Sequence, residues 1–340
     1  MHPLSAHLRY RTGVVTAGLV LASIASLLFA GATGSVAIPL ADLPGAIQEL
    51  MSGRADTLAA TLLDLRANRA LTAFVTGATL SLAGVMMQTL LRNPLADPYV
   101  LGISAGSAVG ALLALMLMCA AWIVDVAAFI GAVVVSMLLY LFARRDMRGG
   151  SAAEGGTALL LLTGTILSAG CAALIMLMLS IAPESRLRSM VFWMIGDLSG
   201  APLRWLPWIV LAAGLAFALR TARSMNVLAL HAEAASTLGV RVGALRKGLF
   251  FCSGLLTASA VTTAGSIGFV GLIVPHACRF AFGPDHRVLI PAATLAGGAY
   301  LVLADTLART VIAPQQLPVG VVTALIGTPV FLYQLHRLRR

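Results

Sequence analysis

Few side chains in this 340-residue sequence could do chemistry, and most of them lie far apart. Its one lysine, Lys247, is followed by Gly248 and Leu249. A phosphate-cradling loop of the Walker type needs Gly-Lys-Ser/Thr, so nucleotide binding of that kind is excluded. Nor is there a His-Glu-x-x-His pair, a Gly-x-Ser-x-Gly elbow or a set of paired carboxylates. None of the six histidines (His2, His7, His231, His276, His286, His336) is placed mid-membrane as a haem or metal ligand, and most read as solvated or interfacial. Cys119, Cys171, Cys252 and Cys278 stand singly, without Cys-x-x-Cys spacing, and read as small apolar packing residues. Asp305 and Arg309, four apart, read as an ion pair on one helix face. No cofactor or metal is expected in this chain.

What could carry function is basic charge. The stretch from Arg220 to Lys247 holds Arg220, Arg223, Arg241, Arg246 and Lys247 against one acid, Glu233. Its centre, HAEAASTLGV, predicts a short helix with Ala234, Ala235 and Leu238 on one face and Gly239 as its stop. Such a helix either ties two membrane spans together or offers a handle to a partner.

The elements around these residues are membrane spans. Hydrophobic residues make up 59% of the chain and charged ones 11%, and the mean hydropathy is +0.94. This predicts an all-α polytopic membrane protein, one domain over residues 1–340, with no linker or internal repeat. A net charge of +10 would suggest nucleic acid in a soluble protein. Here no basic patch is interleaved with aromatics, so that partner is excluded and the charge should sort by membrane side.

The first apolar run, Gly13 to Ala32, follows Arg9 and Arg11. Ala30-Gly31-Ala32 could pass as a cleavage site, but the run is long for a signal peptide and right for a span of roughly 30 Å. It reads as a retained span. Residues 34–65 follow as a polar loop carrying an amphipathic helix. Nine more spans are expected near 70–91, 99–119, 122–142, 157–182, 203–219, 247–265, 268–282, 288–308 and 318–335. Segment 268–282 is short, and Pro275, His276 and Arg279 make it a candidate broken helix. Ten spans with both termini in the cytoplasm place sixteen of the 23 Lys and Arg residues inside and seven outside, as the positive-inside rule requires. Gly102, Gly106 and Gly110 repeat every four residues and predict close packing within the chain. Gly164, Ser168 and Ala172 repeat the device in the fifth span, facing either a path or a second copy.

Four stretches together carry a family resemblance: DLRANRALTAFVTGATLSLAGVMMQTLL at 64–91, RNPLADPYVLGIS at 92–104, GFVGLIVPHACRFAFGPDHRVLIP at 268–291, and LADTLART with QLPVGVVTALIGTPVF at 303–331. In order and spacing they resemble the FecCD-type permeases of ABC importers for iron-siderophores, haem and cobalamin. The resemblance runs from about residue 60 to the C-terminus. It implies a homodimer with a shared translocation path, two cytoplasmic ATPase subunits that bind ATP and Mg, and a periplasmic substrate-binding protein. It also implies a bacterial inner membrane location, and import of an iron chelate (siderophore or haem), with cobalamin as the alternative cargo. The stretch LALHAEAASTLGV matches the family's loop to the ATPase, which assigns Glu233, Ala234, Leu238 and Gly239 to coupling. His231 stands where the family has glycine. Arg66, Arg69 and Arg309 match arginines that dock the binding protein, with Asn68 in place of the usual proline.

Asn93-Pro94 and Asp97-Pro98 read as a rigid inner corner, because proline removes an N–H and disfavours helix before it. Pro275-His276 breaks the eighth span similarly, while Pro318 starts and Pro329 bends the last. Gly164, Ser168, Met176 and Met178 are candidates for the path, and none is a diagnostic ligand. A secondary transporter would call for intramembrane acids and helices broken at mid-depth, and the sequence shows few of these.

Overall fold

The computed structural model describes residues 3–39, 41–144, 153–199, 205–230 and 232–338. His231, with His2, Arg145, Arg148, Arg204, Arg339 and Arg340 of the sequence reading, lies outside them. The described residues form thirteen α-helices and no strand.

The bundle is organised around α3 (Leu58–Leu90), which is buried almost without interruption from Ala70 onward. Such all-round burial needs neighbours on every side. They are α1 (Pro3–Ala32), α8 (Trp205–Leu230), α10 (Val242–Ala264), α11 (Val270–Phe282) and α12 (His286–Thr310). Small residues set the distances. A Cβ on Gly84 would collide with the carbonyl of Gly271, and one on Gly77 with that of Gly297. In a bilayer apolar burial does not drive helices together, so this close backbone approach must.

A second layer is built from α4 (Ile103–Met116), α5 (Ala121–Ala143) and α6 (Ala153–Ile181). Gly106 and Gly110 meet α5 at Gly131 and Ala127, so the four-residue glycine stripe packs inside the chain as expected. Gly102, its first member, caps α4 instead of entering it.

Ten helices correspond to the ten expected spans, with α13 (Val319–Leu338) last. Six are long and apolar enough to cross a membrane unaided, while α4, α11 and the apolar part of α13 are shorter. The differences from the sequence reading have local causes. The second span starts at Leu58, not 70, because the Thr57 side chain accepts the Ala60 N–H and caps a helix that runs through Arg66 and Arg69. The polar loop at 34–65 shrinks accordingly, around α2 (Leu43–Met51). The Arg220–Lys247 stretch is not a loop: α8 continues to Leu230, and α10 begins at Val242. Between them lies α9 (Ala232–Thr237). One helix, α7 (Glu184–Ile195), has no counterpart in the sequence reading.

Candidate functional site

Four sites gather the polar groups of the bundle. The first is at its centre. α4 has 14 residues and α11 has 13, about 20 Å each at helical rise, too short for a 30 Å core. Their starts meet beside the middle of α3. Gly271 packs on the Leu80 carbonyl and on Pro98, and Leu80 lies about 15 Å back from the end of α3 at Leu90. The chain therefore climbs back from Asn93-Pro94 before α4 starts. Asp97-Pro98, expected at an inner corner with Asn93-Pro94, sits deep inside the protein instead. Helices broken at depth, which the sequence reading found scarce, are present here.

Irregular backbone at that depth must find its hydrogen bonds within the protein. The Asp97 carboxylate accepts the Tyr99 N–H at 2.8 Å, and the Tyr99 hydroxyl accepts the Ile267 N–H at 3.2 Å. Ser104 and Ser266 share a hydroxyl bond at 2.9 Å. Pro98 itself lies against Gly271, four residues before Pro275. The proline motifs of the two stretches are thus brought together, which spacing alone did not show.

The second site is the end of the bundle that carries α9. Gly239, at φ +80°, ends α9 in the left-handed region. The Val240 N–H returns to the Ala235 carbonyl at 2.9 Å and the Gly239 N–H to Ser236 at 3.0 Å, a Schellman closure. Ala235 is fully buried whereas Leu238 is 70% exposed. The expectation that they share a face is corrected: Leu238 falls in the turn after the helix and points away from the body of the protein. Glu233 and Ala234 lie within α9.

Next to it, α8 is tied to α12 and α3. Asn226 Oδ1 accepts the His286 N–H at 2.8 Å, and its amide donates to Asp285 at 2.8 Å. That orientation makes ring Nδ1 of His286 the donor to Asn226 Oδ1, at 2.7 Å. Nε2 then meets the Thr89 hydroxyl at 2.7 Å. Arg287 and Asn226 hold the Asp285 carboxyl below its ordinary range, Arg287 through its side chain foremost, against the opposing effect of burial. His286, expected to be solvated or interfacial, is buried and fully bonded.

The third site is the opposite end, where α3 begins and α12 ends. Asp305 is 1% exposed. It takes Arg69 Nε at 3.0 Å and Nη2 at 2.8 Å, and Arg309 Nε at 3.0 Å. The expected Asp305–Arg309 pair exists, and Arg69 joins it. Arg69 also reaches Gln316 at 2.8 Å. Arg66 donates to the carbonyls of Gly31, Ala32 and Val36, and Arg309 to those of Ala30 and Thr33. Both guanidiniums thus satisfy carbonyls left open where α1 ends, the end at which cations are favoured. Arg66 and Arg309 are buried, so neither presents the free surface charge that the sequence reading gave it. Arg69 is the most exposed of the cluster's ion-paired groups.

The fourth is α6. Gly164 packs on the backbone of Val100 and Leu101, and Ser168 Oγ lies against Gly102 while donating to the Gly164 carbonyl at 2.8 Å. Met178 is half-buried, and Met176 stands on an open face. The four path candidates therefore divide between an inward flank and an outward one.

Sequence reasoning missed Asn226, the depth of Tyr99 and Asp97, and the burial of Arg246. An acid inside an apolar helix is a functional signal in itself, and on that ground Asp305 could have been singled out as a hub rather than one half of a pair.

A bundle of long apolar helices around broken central ones defines a polytopic membrane protein of the transporter type. A solved structure described as an inward-facing conformation of a metal-chelate type ABC transporter superposes with a TM-score of 0.79 at 30% identity, covering 96% of this chain and 99% of that one. PsaBC from Streptococcus pneumoniae shares the fold, with a TM-score of 0.54 at 18% identity over 84% of this chain and 94% of that one.

The chain belongs to the FecCD transport family, which it matches over residues 18–337. Among its relatives, the cobalamin import system permease protein BtuC of Halobacterium salinarum is 43% identical over 76% of this chain and 69% of its own length. The vitamin B12 import system permease protein BtuC of Escherichia coli O9:H4 is 37% identical over 81% and 83%. The hemin transport system permease protein HmuU of Yersinia pestis is 38% identical over 82% and 83%.

Proposed function

We propose that this chain is the permease subunit of an ATP-driven importer that moves a metal chelate across the cytoplasmic membrane, the inner membrane of a bacterium with two. The observation that carries the reading is the family match over nearly the whole chain. The cargo we assign is a metal held in a macrocycle, cobalamin or haem, because relatives named for these are 37–43% identical. Those names bring cobalamin level with the iron chelate that the sequence reading put first.

Two copies form the working permease, with the open face of α6 turned toward the path. Both termini lie in the cytoplasm, which places α9 on that side and the Asp305 cluster on the other. Leu238 enters a partner ATPase, with Glu233, Ala234 and Gly239 around it. An exposed leucine on a capped turn is the kind of single anchor that a groove accepts. The Asn226–Asp285–His286–Thr89 bonds make α8, α12 and α3 follow α9. ATP is hydrolysed by that partner. The substrate-binding protein docks at the Asp305 end, where Arg69 is the arginine within its reach. The test is uptake of labelled cyanocobalamin, hemin and a ferric siderophore by cells in which this gene replaces the corresponding permease. Restored uptake of a macrocycle supports the assignment; uptake of the siderophore alone overturns it.

A further inference from the structure

The connection between α10 and α11, residues 265–269, is a seat on which α7 ends and α13 starts. A Cβ on Gly320 would collide with the Ile195 carbonyl of α7 and meet that of Ser266 at 3.4 Å. One on Gly196 would meet the Ser266 carbonyl at 2.8 Å. The Gly320 N–H donates to the Gly196 carbonyl at 3.3 Å, and the Asp197 N–H to that of Ala264 at 2.9 Å. About two turns further along α13, Gly327 makes room for the ring of Phe269, whose Cγ a Cβ there would meet at 2.6 Å.

Phe269 stands at φ +71°, where a bulky side chain is a backbone outlier and persists only if its surroundings impose it. Glycine would take that conformation freely, and glycines already stand at 265 and 268. What phenylalanine adds is the ring in the notch of Gly327. α13 divides at this contact. On the near side Val319, Val322 and Thr323 are buried. Beyond Gly327 no described side chain of α13 is buried, and Thr328, Pro329, Val330, Leu332 and Tyr333 are exposed. Pro329 lies within the helix; it has no N–H for the Leu325 carbonyl and its ring crowds the turn before it, so the helix is weakest beside the seated ring.

We infer that α13 is hinged at Gly327–Pro329 and that Phe269 is a positioning residue, setting the angle of the C-terminal half of α13. The first half is fixed on α7 and on the 265–269 connection, and the second is free to swing. The hinge is a property of the chain alone. Its use, to open and close one end of the translocation path, rests on the function proposed above.

The test places nitroxide labels in pairs, Leu21 with Leu325 and Leu21 with Leu332, all exposed positions, in the full chain with its native cysteines replaced by serine. Double electron–electron resonance reads the distances, with unlabelled chain in excess so that pairs within one copy dominate. The permease alone should give a single narrow distance to Leu325 and more than one distance to Leu332. Phe269→Ala should change the ratio of the Leu332 populations at least about fivefold, the scale of a lost aromatic contact, and leave Leu325 in place. Gly327→Ala keeps the ring but drives a Cβ into it and should move the same ratio, which keeps the test open if Phe269→Ala fails to fold. In the importer completed with its ATPase and binding protein, ATP should redistribute the Leu332 distances alone. A single narrow distance at both positions would make α13 a rigid helix whose exposed half a second copy covers, and would overturn the hinge whatever the chain transports. A ratio unmoved by both variants, or equal shifts at Leu325 and Leu332, would overturn the role of Phe269. An importer that turns over with both distributions unchanged would overturn the use of the hinge in transport.

Discussion

Replacing Asp305 with asparagine tests whether the arginine cluster is a structural clamp. The carboxylate is buried and accepts from two guanidiniums at 2.8–3.0 Å. Opposite charges about 4 Å apart attract by about 4 kcal/mol at an effective dielectric near 20. Two such attractions are offset in part by repulsion between Arg69 and Arg309. Removing one partner from a buried ion pair costs about 3–5 kcal/mol, because the other charge stays behind.

For Asp305→Asn we take the lower half of that range, since Arg69 retains Gln316 at 2.8 Å. The loss corresponds to a fall of roughly 5–10 °C in the unfolding midpoint, measured by fluorescence in detergent at one protein and lipid concentration. The double variant Asp305→Asn/Arg309→Gln strands one charge fewer and should recover part of the loss. A midpoint for Asp305→Asn within 2 °C of the parent chain, or a double variant less stable than the single one, would refute the clamp. The same geometry warns against charge reversal at Arg66 or Arg309 as a docking test, because either change sets a carboxylate against the carbonyls that end α1.

Leu238→Glu should lower transport at least about tenfold, the scale of a lost hot spot, and leave the proposed dimer intact on size-exclusion chromatography; undiminished uptake would make α9 a tether only. Gly84→Val forces α3 away from Gly271 and should destabilise by about 1–3 kcal/mol or more, seen as a lower unfolding midpoint, while an unchanged midpoint would contradict the packing. Asp285 titrates below its ordinary range in the folded chain, so its contribution is present above the unfolded value near 3.9 and is lost as pH falls through the lower folded one. Acidifying from about pH 5 to about pH 2.5 should therefore cost the parent chain more stability than Asp285→Asn, and equal losses would remove Asp285 from the account.

The spans were legible because a bilayer imposes a length and a polarity that one sequence displays directly. Gly106 and Gly110 announced their contact by a four-residue spacing, and Gly239 its turn by residue type. The depth of Asp97 and Tyr99 was not legible. Proline signals a break in a helix, but how deep the break lies depends on how far the chain climbs back along α3, which is a tertiary property. α8 outran its apolar stretch because a helix carries polar residues freely once it leaves the bilayer core. Arg66 and Arg309 misled for a related reason. Arginines near the end of a span read as surface charge, while the open carbonyls of α1 that bury them belong to a helix some thirty residues or more away in sequence. His286 hid its role likewise, since Asn226 lies sixty positions earlier.

The central claim is transport of a macrocyclic metal chelate by this chain together with an ATPase and a binding protein. The most direct measurement reconstitutes the permease in vesicles with both partners and follows entry of labelled cyanocobalamin and hemin. The account predicts accumulation of at least one of them that requires ATP, the ATPase subunit and the binding protein together. Accumulation by the permease alone without ATP, or a complex that hydrolyses ATP with its binding protein loaded yet moves neither chelate, would contradict it.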